Sequence, residues 1–550
     1  GSAIGGDLTV VSPRILLNGA TFAGTVNVTK TGSTGEWSSG GNLFNSTTTI
    51  NQQGDGFFGF ASGNPDTYNG DLYINNNSTE RVLIGNGTVA NQFNGNIILT
   101  ETGASQGIAF GWSANAGGTL AVGKTISVGA AGFSTGYLQL KQFTQLGSVP
   151  VNLLLTGNTS LTIGPASAIG GDFNASAASL YFNGCGFGGT VNAVKTGATN
   201  DNSAGNNIFN GAAVITNAGS GNLVFGNGNS DQFNADATFN NTGSANIYIA
   251  HNSSGNIFGG VTTLNNNPTG NNVIYVSWYS AGTVFNDNIV VSSTNGQGVQ
   301  FCGGNLNATA TLVAGKTIGV GPGGFTSGTL LLRQFSQTGA TAQNLTLTGT
   351  GNLTFGPSSS FGGNITTTSP ALFFNGCQFD GMVNSVKTGA TNDGSKGGNI
   401  FNAAFSVTNT GSGYLLMGNG NPDTWQSTAE FNNLSSGQNM YIAYNSTGNI
   451  FNGDVLFNNQ PAGNFWIYPN SYGINTQFNG NISVVNLNGS GVSFGANTGT
   501  STLAPGKTIS VGAAGFNSGG LVLKGFAQSG AGTPQSLITT GTSYIQYSTG

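Results

Sequence analysis

The stretch GTLAVGKT, Gly118 to Thr125, matches the phosphate-cradling pattern G-x-x-x-x-G-K-[ST] letter for letter. In that chemistry backbone N–H groups hold the phosphates, the lysine reaches them and the hydroxyl ligates magnesium. It requires a strand before the loop and a helix after it. Here Ile126-Ser127-Val128-Gly129 follows, which reads as strand and turn. The related stretches ATLVAGKT (Ala310 to Thr317) and STLAPGKT (Ser501 to Thr508) lose the first glycine. The pattern therefore predicts a solvated turn lysine rather than a nucleotide site.

Nine of the twelve basic residues form triplets in register: Lys30, Lys195 and Lys387; Lys124, Lys316 and Lys507; Lys141, Arg333 and Lys524. Each triplet reads as charge that keeps an outer wall soluble and blocks lateral sheet association. Periodic docking of an anionic glycan is the functional alternative. Cys185 and Cys377 occupy equivalent NGC positions where Ala20 stands in a third place, so they read as small buried packing residues; the third cysteine is Cys302. The single histidine, His251, lies in a polar turn whose counterpart carries Tyr444, which is no zinc pattern. Asp66, Asp231 and Asp423 each close a Gly-Asn-x-Asp turn and read as Asx-type turn residues, with too few carboxylates nearby for calcium. No acidic and basic cluster of the kind a glycosidase cleft needs is present. The expectation is no enzyme, no cofactor and no metal.

The elements that carry these residues repeat. KTISVGAAGF at 124–133 returns as KTIGVGPGGF at 316–325 and as KTISVGAAGF at 507–516, separations of 192 and 191 residues. Inside that long repeat a large apolar residue returns about every two dozen positions: Phe187, Phe209, Phe233, Phe258, Phe285, Leu312, Phe335, Phe361 and Phe379. A unit of this length has one apolar face and buries it only against its neighbours. Short alternating runs such as Leu138-Gln139-Leu140, bounded by Gly, Asn and Thr, read as strands, and no stretch reads as a long amphipathic helix. The predicted fold is an all-β parallel β-solenoid with coils of about 24 residues and about eight coils per long repeat. Asn and Gly supply the tight turns, and stacked Asn side chains supply ladders between coils.

Three super-repeats follow, at 1–166, 167–358 and 359–550, forming one continuous rod. Phe22, Phe44, Tyr68 and Phe93 in the first correspond to Phe187, Phe209, Phe233 and Phe285 in the second. Their counterparts in the third are Phe379, Phe401, Trp425 and Phe478, and Phe258 and Phe451 join the same series. These fourteen rings are predicted to stack in one interior column. The first super-repeat is shorter by 27 residues, read as one missing coil equivalent to residues 234–260. The chain opens and closes on repeat boundaries without a leader or a polar cap. This predicts an excerpt of a longer polypeptide or a piece that stacks end to end.

Charged residues are 5% of the 550, against about 25% in an ordinary domain, while 37% are hydrophobic and 36 are Phe. That aromatic content argues against disorder, and 13 Pro argue against collagen-like structure. A net charge of −5 spread so thinly argues against recognition of nucleic acid or an anionic membrane through a charged field. No apolar run is long enough for a membrane helix.

The motifs FNGNI at Phe93 to Ile97, GNIFN at Gly398 to Asn402 and NNTG at Asn240 to Gly243 come in long Gly/Asn/Thr-rich arrays. In this the chain resembles the giant repetitive surface proteins of the Bacteroidota, adhesins and extracellular filaments exported by type IX secretion. The resemblance implies an extracellular or cell-surface location and a structural shaft that spaces or attaches. Its partners would be further copies, flanking repeats of a longer chain, or a cell-surface glycan. The C-terminal sorting domain expected of that family is missing from these residues. Two other classes stand beside the shaft. A carbohydrate-binding solenoid needs Trp37, Trp112, Trp278 and Trp466 to line one face. An ice-binding solenoid needs a threonine ladder on every coil, and the runs at 47–49 and 366–368 do not recur in that way.

Overall fold

Alternating inward and outward side chains turn the repeated sequence into walls. A computed structural model describes residues 1–112, 117–435, 438–530 and 532–549. It forms two units, Gly1–Ile274 with Tyr279–Thr283, and Tyr275–Trp278 with Val284–Gly550. Both are parallel β-solenoids, about 22 turns in all with coils of about 24 residues, and no described residue is helical.

One coil of the first unit shows the plan. A short strand, Gln232–Phe233, carries the ring; a five-residue strand, Ala237–Asn241, forms the second wall; Ile247–Ile249 forms the third. Each pairs in parallel with its counterpart one coil away, as in Ala213↔Ala237, Ile215↔Phe239 and Asn217↔Asn241. Every second residue of the five-residue strand is buried, so period two sorts the side chains into an apolar interior and a polar exterior. The corners need left-handed backbone. Gly40 has φ 84° and faces the Asn64 carbonyl closely enough to leave no room for a Cβ. Asn206, Asn252 and Asn445 also adopt positive φ. Outside, Asn51 donates to Asn27 at 2.8 Å and Asn75 donates to Asn51 at 3.0 Å, a ladder from coil to coil.

The fourteen rings are all buried. In the first unit Phe22, Phe44, Tyr68 and Phe93 stack at 5.1, 4.8 and 5.4 Å between centroids. Phe187, Phe209, Phe233 and Phe258 follow at 5.1, 4.5 and 5.1 Å. In the second unit Phe379, Phe401, Trp425, Phe451 and Phe478 stack at 5.2, 5.8, 4.2 and 4.8 Å. Phe285 packs edge-on against Phe301 at 6.0 Å. Burying each ring stabilises the coil by about 1.5–3 kcal/mol. Phe335 departs from the expected series. It pairs with Ala310, and the row between Leu312 and Phe361 is held by Gln337. Gln337 is buried because its amide binds the carbonyls of Thr338 and Gly339, and its oxygen accepts from Gly363 N.

The shorter first super-repeat lacks a coil. Tyr68 pairs directly with Phe93, whereas Trp425 pairs with Phe451 and Phe451 in turn with Phe478. The expected bounds of that coil need correction. Phe233 pairs with Phe258, 25 residues on, so residues 234–260 run two residues past one coil.

Candidate functional site: a buried lysine corner

The strands Val26–Lys30 (VNVTK), Val191–Lys195 (VNAVK) and Val383–Lys387 (VNSVK) share one pattern, with first, third and fifth residues buried. Alternation therefore puts each lysine in phase with the inward valines. Lys30, Lys195 and Lys387 are 0% exposed. This overturns their reading as outer-wall charges. The signal was in the strand itself, since a lysine two residues after an inward position points inward too.

Each ammonium is held by the turn that follows it. Lys30 Nζ donates to Gly32 O at 2.6 Å and to Gly56 O at 3.0 Å. Lys195 Nζ donates to Gly197 O at 2.7 Å, and Lys387 Nζ donates to Gly389 O at 2.7 Å. A buried carboxylate stands beside two of them: Asp201 Oδ2 is 3.7 Å from Lys195 Nζ, and Asp393 Oδ2 is 4.0 Å from Lys387 Nζ. The same oxygens accept from the preceding coil, from Leu180 N at 2.7 Å and Leu372 N at 2.8 Å. Glu36 takes this place in the first super-repeat, accepting from Ile15 N at 2.9 Å and pairing with Arg14 at 3.2 Å. Burial pushes the three lysine amines down from their ordinary range and the carboxyls of Asp201 and Asp393 up, that of Asp393 to about 7. A side-chain amide lies directly opposite each lysine on the next coil: Gln52, Asn217 and Asn409. Asn rows continue the corner, with Asn433 donating to Asn459 at 3.0 Å and Asn459 to Asn486 at 2.8 Å. In the first super-repeat the row runs from Gln52 through Asn76 to buried Glu101. Burial pushes the Glu101 carboxyl up to about 8.

A second polar row crosses the ring wall. Asp66, Asp231 and Asp423 are not Asx-turn residues but buried links between coils. Asp66 Oδ1 accepts from Asn42 N and Nδ2, both at 2.9 Å. Asp231 does the same for Asn207 at 3.0 and 2.8 Å, and Asp423 for Asn399 at 2.9 and 2.8 Å. Each aspartate N–H then donates to the Asn one coil further, Asn91, Asn256 or Asn449. On the other side Asn207 and Asn399 accept from the N–H groups of Cys185 and Cys377. Burial raises Asp66 to about 6 and Asp231 and Asp423 to about 7. The letters G-N-x-D are the same for a turn and for this row; only the inward corner tells them apart.

The remaining candidates have local partners. Gly118–Leu120 and Ile126–Phe133 flank a turn closed by Lys124 N to Ala121 O at 3.2 Å, so the lysine sits between strand and strand. Lys316 and Lys507 close the same turn, and Lys316 Nζ meets Asp287 at 2.9 Å in a half-buried pair. The three cysteines are buried and unbridged, and burial pushes the thiols of Cys302 and Cys377 up to about 12. His251 lies between Tyr248 and Tyr279 at 5.2 and 5.4 Å. Tyr444 sits likewise between Tyr441 and Tyr472 at 5.5 and 5.4 Å. Trp37 packs on Phe57, Trp112 under Arg81, Trp278 on Tyr275 and Trp466 on Tyr468. Among the described residues no three His, Cys, Asp or Glu side chains group as metal ligands would. No protein-family model, curated protein or solved structure matches the chain.

Proposed function

We propose that this chain is part of the structural shaft of an extracellular filament or cell-surface adhesin, a spacer that holds a contact surface away from the cell. The reading extends to the export style of the repetitive Bacteroidota surface proteins that the sequence resembles. One observation carries it: buried polar side chains tie coil to coil, the aspartates through Asn42, Asn207 and Asn399, and Lys30 and Lys195 through Gly56 O and Ala178 O. Each unit organised this way is stiffened along the stacking direction of its coils. Its neighbours would be further copies or flanking repeats. Immunogold electron microscopy of the source cells tests the reading. Label along surface fibres or in shed filaments is expected; label confined to the cell interior contradicts it.

A carbohydrate-binding role is the second reading, favoured by one surface of the second unit. There Tyr441 stacks on Tyr468 at 5.0 Å, with Tyr414, Tyr444, Trp466 and Tyr472 around them. A glycan array probed with the intact chain and with Tyr472→Ala distinguishes it. Binding lost in the variant supports a glycan contact, and a blank array leaves the plain shaft.

A further inference from the structure

Two of the buried lysine corners place an amine, an amide and a carboxyl together without solvent. Lys195 stands directly opposite Asn217 on the next coil, and Lys387 directly opposite Asn409, all four side chains inward and 0% exposed. Parallel neighbours lie about 4.8 Å apart, a gap that the flexible four-carbon stem of lysine spans. Asp201 and Asp393 stand within 3.7 and 4.0 Å of the two amines. Asp393 Oδ1, Asp201 Oδ1 and Asn409 Oδ1 are buried without a hydrogen-bond partner. Amide oxygens are unpaired at Gln52, Asn241 and Asn433 as well, so what sets these two corners apart is an unpaired carboxyl oxygen beside each buried amine.

We infer that Lys195–Asn217 and Lys387–Asn409 are self-catalysed cross-linking sites, each condensing lysine amine and asparagine amide into an isopeptide bond between coils. The neutral amine attacks Cγ of the asparagine, forming the new C–N bond. The neighbouring aspartic acid gives its proton to the amide oxygen, Oδ1, and receives a proton from the attacking nitrogen. The acid then gives that proton to Nδ2, the Cγ–Nδ2 bond breaks to release ammonia, and the Oδ1 hydroxyl proton returns to the carboxylate, restoring the carbonyl and the acid. Lysine amine plus asparagine amide become a secondary amide plus ammonia, with no oxidant, reductant or co-reactant. Burial supports the required forms, since it favours the uncharged amine and the protonated carboxyl at both corners. Holding both partners in register removes the orientational barrier, and a positioned acid–base group lowers the rest.

The first super-repeat supplies an internal control. Lys30 and Gln52 are opposed in the same way and share the Gly56 carbonyl at 3.0 and 2.6 Å. Its acid, Glu36, has both oxygens engaged by Arg14 and Ile15, so no proton donor faces that pair.

Intact-mass measurement of the full chain under denaturing conditions tests the inference. The expected mass is the sequence mass less two molecules of ammonia. Peptide mapping should yield branched peptides joining the Lys195 segment to Asn217 and the Lys387 segment to Asn409. Asp393→Asn keeps an acceptor for Leu372 N but removes the acid, so that chain should lose one ammonia only. A chain at full sequence mass, or one whose lost ammonia maps to a linear peptide with cyclised asparagine, overturns the proposal.

Discussion

Two rows of lysine recur in the same super-repeats and end in opposite environments. Lys124, Lys316 and Lys507 close surface turns after a three-residue strand. Lys30, Lys195 and Lys387 end five-residue strands and are wholly buried. Residue type and periodicity are equal, so neither decides the outcome. Phase within the strand does. The turn lysines stand outside any alternating run, while the strand lysines fall on the inward beat beside Val28, Ala193 and Ser385. A buried lysine amine is tolerable there because turn carbonyls replace its water.

The strongest way to break this contrast is to shift the phase. Removing residues 452–478 takes out one coil between Phe451 and Phe478 and joins Phe451 to Asn479-Gly480, matching the native Asn452-Gly453. That chain should remain folded by circular dichroism and monodisperse. Removing residues 452–465 instead leaves half a coil, so the following strands meet the wrong walls, and should leave an aggregating chain. Next in size, Lys387→Met removes the donor that Gly389 O and Asp393 face, leaving buried oxygens unsatisfied, which should cost about 1–3 kcal/mol in urea denaturation. Adding Asp393→Asn should return much of that loss, because the amide removes the acid and keeps an acceptor for Leu372 N.

A smaller effect concerns the aspartate row. Burial raises Asp423 from 3.8 to about 7, so the folded chain holds that proton more tightly than the unfolded one. Its contribution to stability is fully present below 3.8 and is lost as the pH rises through about 7. Asp423→Asn keeps the oxygen that Asn399 needs, and should raise stability by about 1–3 kcal/mol near pH ~8 while flattening the pH profile. The smallest effect belongs to the outer row: Lys507→Ala should change the denaturation midpoint by less than about 0.5 kcal/mol equivalent.

Much of the architecture was legible because a ring at one wall position needs a ring above and below it. Tyr68, Phe233 and Trp425 are interchangeable there, and the period of about 24 followed from that tolerance. Phe335 misled, since it sits two residues from Gln337 and a buried glutamine is not recognisable as a core residue without its loop carbonyls. The aspartate row was hidden because Gly-Asn-x-Asp describes a surface turn equally well. The lysine corner was readable in principle from VNVTK, VNAVK and VNSVK; composition argued for the surface, and alternation carried the right answer.

Amine-reactive labelling of the native chain, mapped by mass spectrometry, tests the inward and outward sorting most directly. Lys124, Lys316 and Lys507 should label in native buffer while Lys30, Lys195 and Lys387 stay unmodified. Lys30 should join the labelled set only after denaturation. Comparable native labelling of both rows would contradict the account, because it would place the strand lysines in water.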